Sequence, residues 1–358
     1  MKRYGIIMAG GGGTRFWPLS RQKTPKQLLN LSGKELMVNE AIDRMRTVID
    51  KDNIFIVTAA VQSESMKEAT SGKILARNIL SEPSARNTAA CIGYAAMEIL
   101  KKHGDGVMLV TPADHYIENI DALTEIFKTA IITAENSDKL VTIGLKPTFP
   151  ATGFGYIRSN SDSGEIVKSV IEFKEKPDEK TAKTYVESGC YTWNSGMFIW
   201  KASSILNKLK QYVPDVYESL EIIGESMNTP SEHEVISRIY PEILNISIDY
   251  AVMEPAASHG DVLVIPGDCG WHDVGSWDML NVIQKPDNDG NIMIGDSIAV
   301  DTRNSTVYSA SRTVAVVGIE NIVVVETPDA VMVCSKEKAQ SVKKIVDVLN
   351  NRDRKDLL

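Results

Sequence analysis

The sequence predicts an α/β chain: a mixed, mostly parallel sheet flanked by helices, followed by a small C-terminal β unit resembling a short β-helix. Three observations carry this. First, an apolar run, Tyr4-Gly5-Ile6-Ile7-Met8-Ala9, ends in four consecutive glycines, the pattern of a buried strand that turns sharply. Second, strand-like and helix-like stretches then alternate along most of the chain, as in a largely parallel sheet covered on both faces. Third, from about residue 291 the pattern changes to short β runs separated by turn residues. The expected division is residues 1–285 for the larger domain and 286–358 for the β unit with its terminal helix.

Composition narrows the function classes. The 358 residues, 43% of them hydrophobic, suffice for one large α/β domain and a smaller one. A net charge of −8 argues against a nucleic-acid surface but allows a local basic pocket. No apolar run approaches the roughly 18–20 residues of a membrane span. The N-terminus enters a strand directly, without a signal-like region. Cys91, Cys190, Cys269 and Cys334 are scattered, with no CxxC pair, which disfavours zinc and a disulfide framework and fits a reducing cytoplasm.

Taken in order, the first strand leads to Gly10, Gly11, Gly12 and Gly13, then Thr14, Arg15, Arg21, Lys23 and Lys26. Bare backbone amides followed by basic side chains suit a polyphosphate; the bland alternative is a flexible surface turn. The loop is not a P-loop, because Thr14-Arg15 follows Gly13. It is not the dinucleotide fingerprint either, because Arg15 stands where the third glycine belongs. A helix over 35–49 carries apolar Leu36, Ala41, Met45 and Ile49, and a strand follows over 53–59. In Ser81-Glu82-Pro83-Ser84-Ala85-Arg86-Asn87-Thr88, either Asn87 or Thr88 suits the cap of a helix over 89–102. Arg86 and the bare helix start would give a nucleotide-facing edge.

A strand over 107–110 ends in Thr111-Pro112-Ala113-Asp114-His115. Ligands gather at the carboxyl ends of strands in such sheets, so Asp114 is placed to hold a divalent cation, although a cap or turn role also fits. His115 reads as structural, since magnesium prefers oxygen donors. A helix over 123–135 and a strand over 141–144 follow. Gly153 and Gly155 bracket Phe154 in a bent strand or a close backbone approach to a ligand. Glu175 and Lys176 end a strand; if it stays extended they point to opposite faces, and the default reading is a solvated pair. The stretch 203–240 is helical, broken at Pro214 and Pro230. Asp273 lies between Trp271 and Trp277 after a strand over 262–266, and a turn role before Gly275 is its bland alternative. The terminal helix, 336–351, has an apolar stripe of Ala339, Val342, Ile345, Val346 and Leu349, suited to packing.

These segments resemble the sugar-nucleotide pyrophosphorylases, whose signature is G-G-x-G-T-R-L-x-P-L-[ST]-x-x-x-P-K. The match covers Gly10, Gly11, Gly13, Thr14, Arg15, Pro18, Leu19, Ser20, Pro25 and Lys26, with Phe16 in place of leucine. Trp17, Ser20-Arg21 and Pro25-Lys26-Gln27 are most similar to the mannose-1-phosphate guanylyltransferase branch. Further matches are Glu82-Pro83 with Arg86-Asn87-Thr88, Asp114-His115, Thr152-Gly153-Phe154-Gly155-Tyr156-Ile157, Phe173-Lys174-Glu175-Lys176-Pro177, Trp193-Asn194-Ser195-Gly196, Ser247-Ile248-Asp249-Tyr250 and Trp271-His272-Asp273-Val274-Gly275.

The resemblance implies a Rossmann-like nucleotidyltransferase domain that transfers GMP from GTP to α-D-mannose 1-phosphate with Mg²⁺, giving GDP-mannose and pyrophosphate. It implies nucleotide contacts from the four glycines, Thr14, Arg15, Lys26, Glu82, Arg86, Asn87 and Thr88. Catalysis would fall to Arg15, Lys26, Asp114 and Asp273, with the two aspartates as metal ligands. Gly155, Glu175, Lys176 and Asn194 would hold the sugar phosphate, 203–240 would flank that pocket, and Asp249 would cap a helix with Tyr250 packed behind. A homodimer through the β unit is expected. The longer bifunctional relatives continue into an isomerase domain, and no phosphomannose isomerase activity is expected here. The alternatives are another base and sugar pair, such as glucose or heptose 1-phosphate, or a non-catalytic sugar-nucleotide sensor.

Overall fold

The computed structural model describes residues 1–160 and 165–358. Among the described residues, eleven strands lie before residue 285: β1 (Lys2–Met8), β2 (Ile54–Ala59), β3 (Ile79–Glu82), β4 (Gly106–Pro112), β5 (His115–Ile117), β6 (Leu140–Leu145), β7 (Tyr156–Ser159), β8 (Lys168–Lys174), β9 (Tyr191–Lys201), β10 (Val262–Gly267) and β11 (Trp271–Asp273). Nine of them form one sheet in the order β3-β2-β1-β4-β9-β6-β10-β8-β7. The first four are parallel, each followed by a crossover. β9 is antiparallel to β4, β6 and β7, and β8 is antiparallel to β10 and β7. The sheet is therefore a parallel half joined to a mixed half. The pair β5–β11 stands apart.

Near-continuous apolar runs in the central strands follow from burial on both faces. Alternation sends Ile6 to one face and Ile7 to the other. On one face Ile6, Val110, Phe198 and Trp200 pack with the helices Asn87–His103 and Ala202–Tyr212. On the other, Ile7, Ile56, Leu109 and Ile199 pack with Met37–Met45 and Ile120–Glu135. Trp200 is fully buried, and truncating such a side chain to alanine costs about 3–5 kcal/mol.

The stretch 203–240 forms the helices Ala202–Tyr212, Pro214–Ser226 and Glu232–Ile239, broken where Pro214 and Pro230 stand. They pack on Asn87–His103, on the parallel half of the sheet, rather than over Gly155, Glu175 and Lys176, where the sequence reading expects them.

The C-terminal unit contains β12 (Ile292–Ile294), β13 (Ser297–Val300), β14 (Thr306–Ser309), β15 (Val314–Val317), β16 (Ile322–Thr327) and β17 (Ala330–Ser335). β12, β14 and β16 stack in parallel in one sheet, β13 and β15 in a second, and β17 closes the first antiparallel. Successive coils thus give one strand to each sheet, and Val307, Val316 and Val324 fill the space between. A separate apolar cluster joins this unit to the glycine-loop segment: Phe16, Trp17, Leu31, Val274 and Trp277 meet Val323, Val325, Met332, Ala339 and Val342. No helix among the described residues is long and apolar enough to cross a membrane.

Candidate active site

Where β1 ends, the chain turns through residues 10–13. Gly13 has φ of +61°, and a Cβ there would lie 2.3 Å from Lys26 Cβ, so only glycine fits. Ser20 Oγ donates to the Gly13 carbonyl at 2.7 Å, and Gln27 Nε2 donates to the carbonyls of Ala9 and of Gly11 (3.1 Å). The carbonyls of Gly11 and Gly13 are thus occupied by the loop's own segment. The amides of Gly10, Gly11, Gly12 and Gly13 donate to no protein group among the described residues.

Lys26 is buried, and its Nζ lies 2.9 Å from Asp114 Oδ2. Asp114 follows β4, where the Ala113 amide donates to the Met8 carbonyl at 3.0 Å and so fixes the turn beside the loop. Partial burial pushes the Asp114 carboxyl up, but the adjacent Lys26 ammonium outweighs this and holds it below the usual range. β11 pairs antiparallel with β5 so that Asp273 stands opposite His115. This pairing brings Asp273 to the turn that carries Asp114, from 159 residues along the chain. His115 is buried against Trp271, with ring centroids 5.2 Å apart. Burial lowers its pKa despite the nearby Asp114 and Asp273, so it stays a neutral imidazole. No group of three or more His, Cys, Asp or Glu side chains suited to a metal converges among the described residues. Two carboxylates suit a cation that takes its remaining oxygens from phosphate and water.

Glu82 ends β3 and is buried; it accepts a hydrogen bond from Tyr240 Oη, and burial pushes its pKa up to about 7. Lys26, Glu82, Arg86, Asn87, Thr88 and Asp114 line one cleft of about 350 Å³ with Gly10, Gly11 and Gly13. Neither Asn87 nor Thr88 caps the helix that starts there. Asn87 has φ of +63° and accepts from the Thr88 amide at 2.9 Å, while Thr88 Oγ1 accepts from the Ile248 amide at 2.8 Å. Gly12, Thr14 and Arg15 lie on the loop outside the cleft lining, and Arg15 is exposed. Arg21 and Trp17 do not join the phosphate-facing group either: both side chains bond the C-terminal unit.

The second cluster lies on the mixed half. The Asn194 amide donates to the Gly155 carbonyl at 2.8 Å, tying β9 to the turn before β7. A Cβ on Gly155 would lie 2.5 Å from Glu175 Oε2 and 3.2 Å from Asn194 Cβ. Glu175 is buried, and its Oε2 has no hydrogen-bond partner. Lys176 does not continue the strand: its φ of +45° turns the chain and brings Nζ to 2.8 Å from Glu175 Oε1, so the two side chains meet instead of diverging. Asn194 Nδ2 donates to Asp249 Oδ1 at 2.9 Å. Asp249 therefore caps nothing; the turn starting at it has Ile248 as its cap, without a side-chain bond. Burial, reinforced by the Glu175 charge, raises Asp249 to about 7. Tyr250, expected behind the site, is 48% exposed. Asp249 joins this cluster although sequence reasoning gave it a capping role; the signal that could have found it was the Ser247-Ile248-Asp249-Tyr250 motif match. The two clusters adjoin at Gly196 of β9, where an added Cβ would meet Pro112 at 3.7 Å and His115 at 4.0 Å.

Comparisons with known proteins match two families in succession along the chain. Residues 4–289 match the nucleotidyl transferase family, and residues 295–349 match a mannose-phosphate isomerase/GMP-like beta-helix domain. A Salmonella typhimurium protein named mannose-1-phosphate guanylyltransferase RfbM is 40% identical, covering 98% of this chain and 73% of its own length. The alginate biosynthesis protein AlgA of Pseudomonas syringae pv. tomato is 39% identical, over 98% and 72%. A Thermus thermophilus crystal structure described as a mannose-1-phosphate geranyltransferase superposes with a TM-score of 0.87 at 31% identity, covering 98% of this chain and all of its own.

Proposed function

This chain belongs to the nucleotidyl transferase family, and on that premise we propose that it is a mannose-1-phosphate guanylyltransferase, joining GTP and α-D-mannose 1-phosphate into GDP-mannose and pyrophosphate. One observation carries the reading: a cleft of free loop amides with the Lys26–Asp114 pair adjoins a buried acidic cluster on the same sheet. The first suits a triphosphate, the second a polyhydroxylated sugar.

The sugar phosphate is already ionised at neutral pH, so its oxygen attacks the α-phosphorus directly and no protein nucleophile is needed. The difficulty is bringing anions together, which makes the protein's task positioning and charge neutralisation. The amides of residues 10–13, with Thr14 and Arg15, hold the β- and γ-phosphates. Lys26 leaves Asp114 for the α-phosphate as charge builds there. Asp114 and Asp273 would hold Mg²⁺, which would supply charge neutralisation at the phosphates. Glu82, Arg86, Asn87 and Thr88 face the base and ribose. Lys176 takes the sugar phosphate, while Gly155, Glu175, Asn194 and Asp249 orient the mannose.

The proposal includes a domain boundary at residues 285 and 286 and a cytoplasmic setting, in line with four free cysteines. It also includes a homodimer through the exposed β unit. There Val300 and Val317 pair across β13 and β15, both about half or more exposed, next to exposed Ile298.

Label exchange tests the chemistry. With GTP and labelled pyrophosphate alone, no label enters GTP, because no guanylyl-enzyme forms. With GDP-mannose and labelled pyrophosphate, labelled GTP and mannose 1-phosphate appear. Exchange without any sugar substrate would overturn direct transfer, and no labelled GTP from GDP-mannose would overturn the reaction.

A further inference from the structure

Arg21 sits midway between Arg15 and Lys26, yet its guanidinium is held away from the cleft. Nη1 donates to the Leu357 carbonyl at 2.8 Å, and Nη2 lies 2.8 and 2.9 Å from the two oxygens of Asp329. Trp17 Nε1 donates to the same Leu357 carbonyl at 2.9 Å, with the guanidinium 5.6 Å above its ring. Asp329 is itself set by Thr327 Oγ1 at 2.8 Å. On the loop side, the turn carrying Arg21 is closed by reciprocal bonds with Thr24, of 2.8 and 3.2 Å. A planar fork fixed at both ends transmits position in a way that a lysine point charge does not.

The same C-terminal unit grips the segment after Asp273. Gln340 Nε2 donates to Ser276 Oγ at 2.6 Å, and Trp277, whose Nε1 donates to the Trp17 carbonyl at 3.2 Å, packs against Phe16 at 5.3 Å. One unit therefore holds both sides of the site: the loop running to Lys26, and the strand end that carries Asp273.

We propose that the C-terminal β unit is a positioning device for nucleotidyl transfer, and that Arg21, clamped by Asp329 and the Leu357 carbonyl, is the positioning residue through which it sets the phosphate loop. The inference rests on the functional reading above and adds a role for residues that touch no substrate. A displacement of about 1 Å at the reacting groups costs up to about 100-fold in rate.

Asp329→Ala is the decisive variant. It removes a carboxylate that is 47% exposed, spares the apolar joint around Trp277, and leaves the Arg21 cation in place with only the Leu357 carbonyl to hold it. Asp329→Ala and Arg21→Ala each lower kcat about tenfold or more, and the double variant is no worse than Arg21→Ala. KM for mannose 1-phosphate stays within about twofold, and Asp329→Asn, which keeps one acceptor, recovers part of kcat. Hydrogen exchange of the amides in residues 10–28 quickens in Asp329→Ala, while β2 and β3 are unchanged. Asp329→Ala with wild-type kcat and wild-type loop exchange overturns the proposal, whatever Arg21→Ala does. If the wild-type protein does not turn over GTP and mannose 1-phosphate, the functional reading fails, and the exchange measurement still decides the clamp.

Discussion

The two halves of the sheet present opposite chemistries to one reaction. On the parallel half, glycine amides with no protein acceptor, the Lys26 ammonium and a carboxylate held ionised by that ammonium meet at strand ends. On the mixed half, Glu175 and Asp249 crowd together behind Asn194, with Asp249 raised to about 7 and one Glu175 oxygen left without a partner. The cationic half is open and suits an anion that arrives with its own charge. The acidic half is buried, and an orphaned acceptor in low dielectric is expensive until a hydroxyl donates to it. On the proposed reading, nucleotide affinity and sugar selection are separable, because they would depend on different groups on different strands.

Substitutions can break that separation, beginning with the largest effect. Asp273→Asn removes one of two proposed metal carboxylates, and kcat should fall about 10³-fold, with the magnesium activation curve moved to higher concentration. An unchanged magnesium titration would remove Asp273 from the metal site. Arg15→Ala should lower kcat by about 10²–10³, measured at saturating substrates; near-wild-type turnover would take Arg15 out of the mechanism.

Asp249→Asn should raise KM for mannose 1-phosphate about tenfold, as expected for losing a hydrogen bond to a charged group, and leave KM for GTP unchanged. It should also flatten the dependence of that KM on pH between about 6 and 8, where Asp249 titrates. An equal rise in both KM values would contradict the separation. Gly155→Ala drives a Cβ to 2.5 Å from Glu175 Oε2; overpacking of this kind costs about 1–3 kcal/mol, and the sugar-phosphate KM should register it before the GTP KM does.

The smallest effect sharpens the picture from the nucleotide side. Burial lifts Glu82 from 4.5 to about 7. The folded state then binds more protons than the unfolded state between those values, so stability falls as pH rises through that window, by up to about 3 kcal/mol. Chemical denaturation of Glu82→Gln at several pH values should show a flatter profile than wild type. A steeper one would mean that the carboxyl is ionised when folded.

Much of this architecture is legible in the sequence. The glycine run, the strand ends and the change of character near residue 291 are local patterns, and local patterns survive in sequence. What escapes is set by contacts far along the chain. Asp273 reaches the Asp114–His115 turn through two paired strands of three residues each, too short for any periodicity. Nothing in the sequence around Lys176 signals a positive φ, and its neighbour Glu175 therefore reads as diverging from it. Asp249 reads as a cap because its partner, Asn194, lies 55 residues away. Arg21 reads as a phosphate-binding group because a basic residue in a basic loop carries no mark of its partner; Asp329 is 308 residues later.

The most direct test of the central claim is pyrophosphate release from the purified protein across GTP, ATP, UTP and dTTP, each with mannose 1-phosphate or glucose 1-phosphate, with magnesium or EDTA. The account predicts release with GTP and mannose 1-phosphate, dependent on both substrates and abolished by EDTA. Preferential release with another pair would contradict the guanine or mannose assignment, and silence across the matrix would contradict the reaction itself.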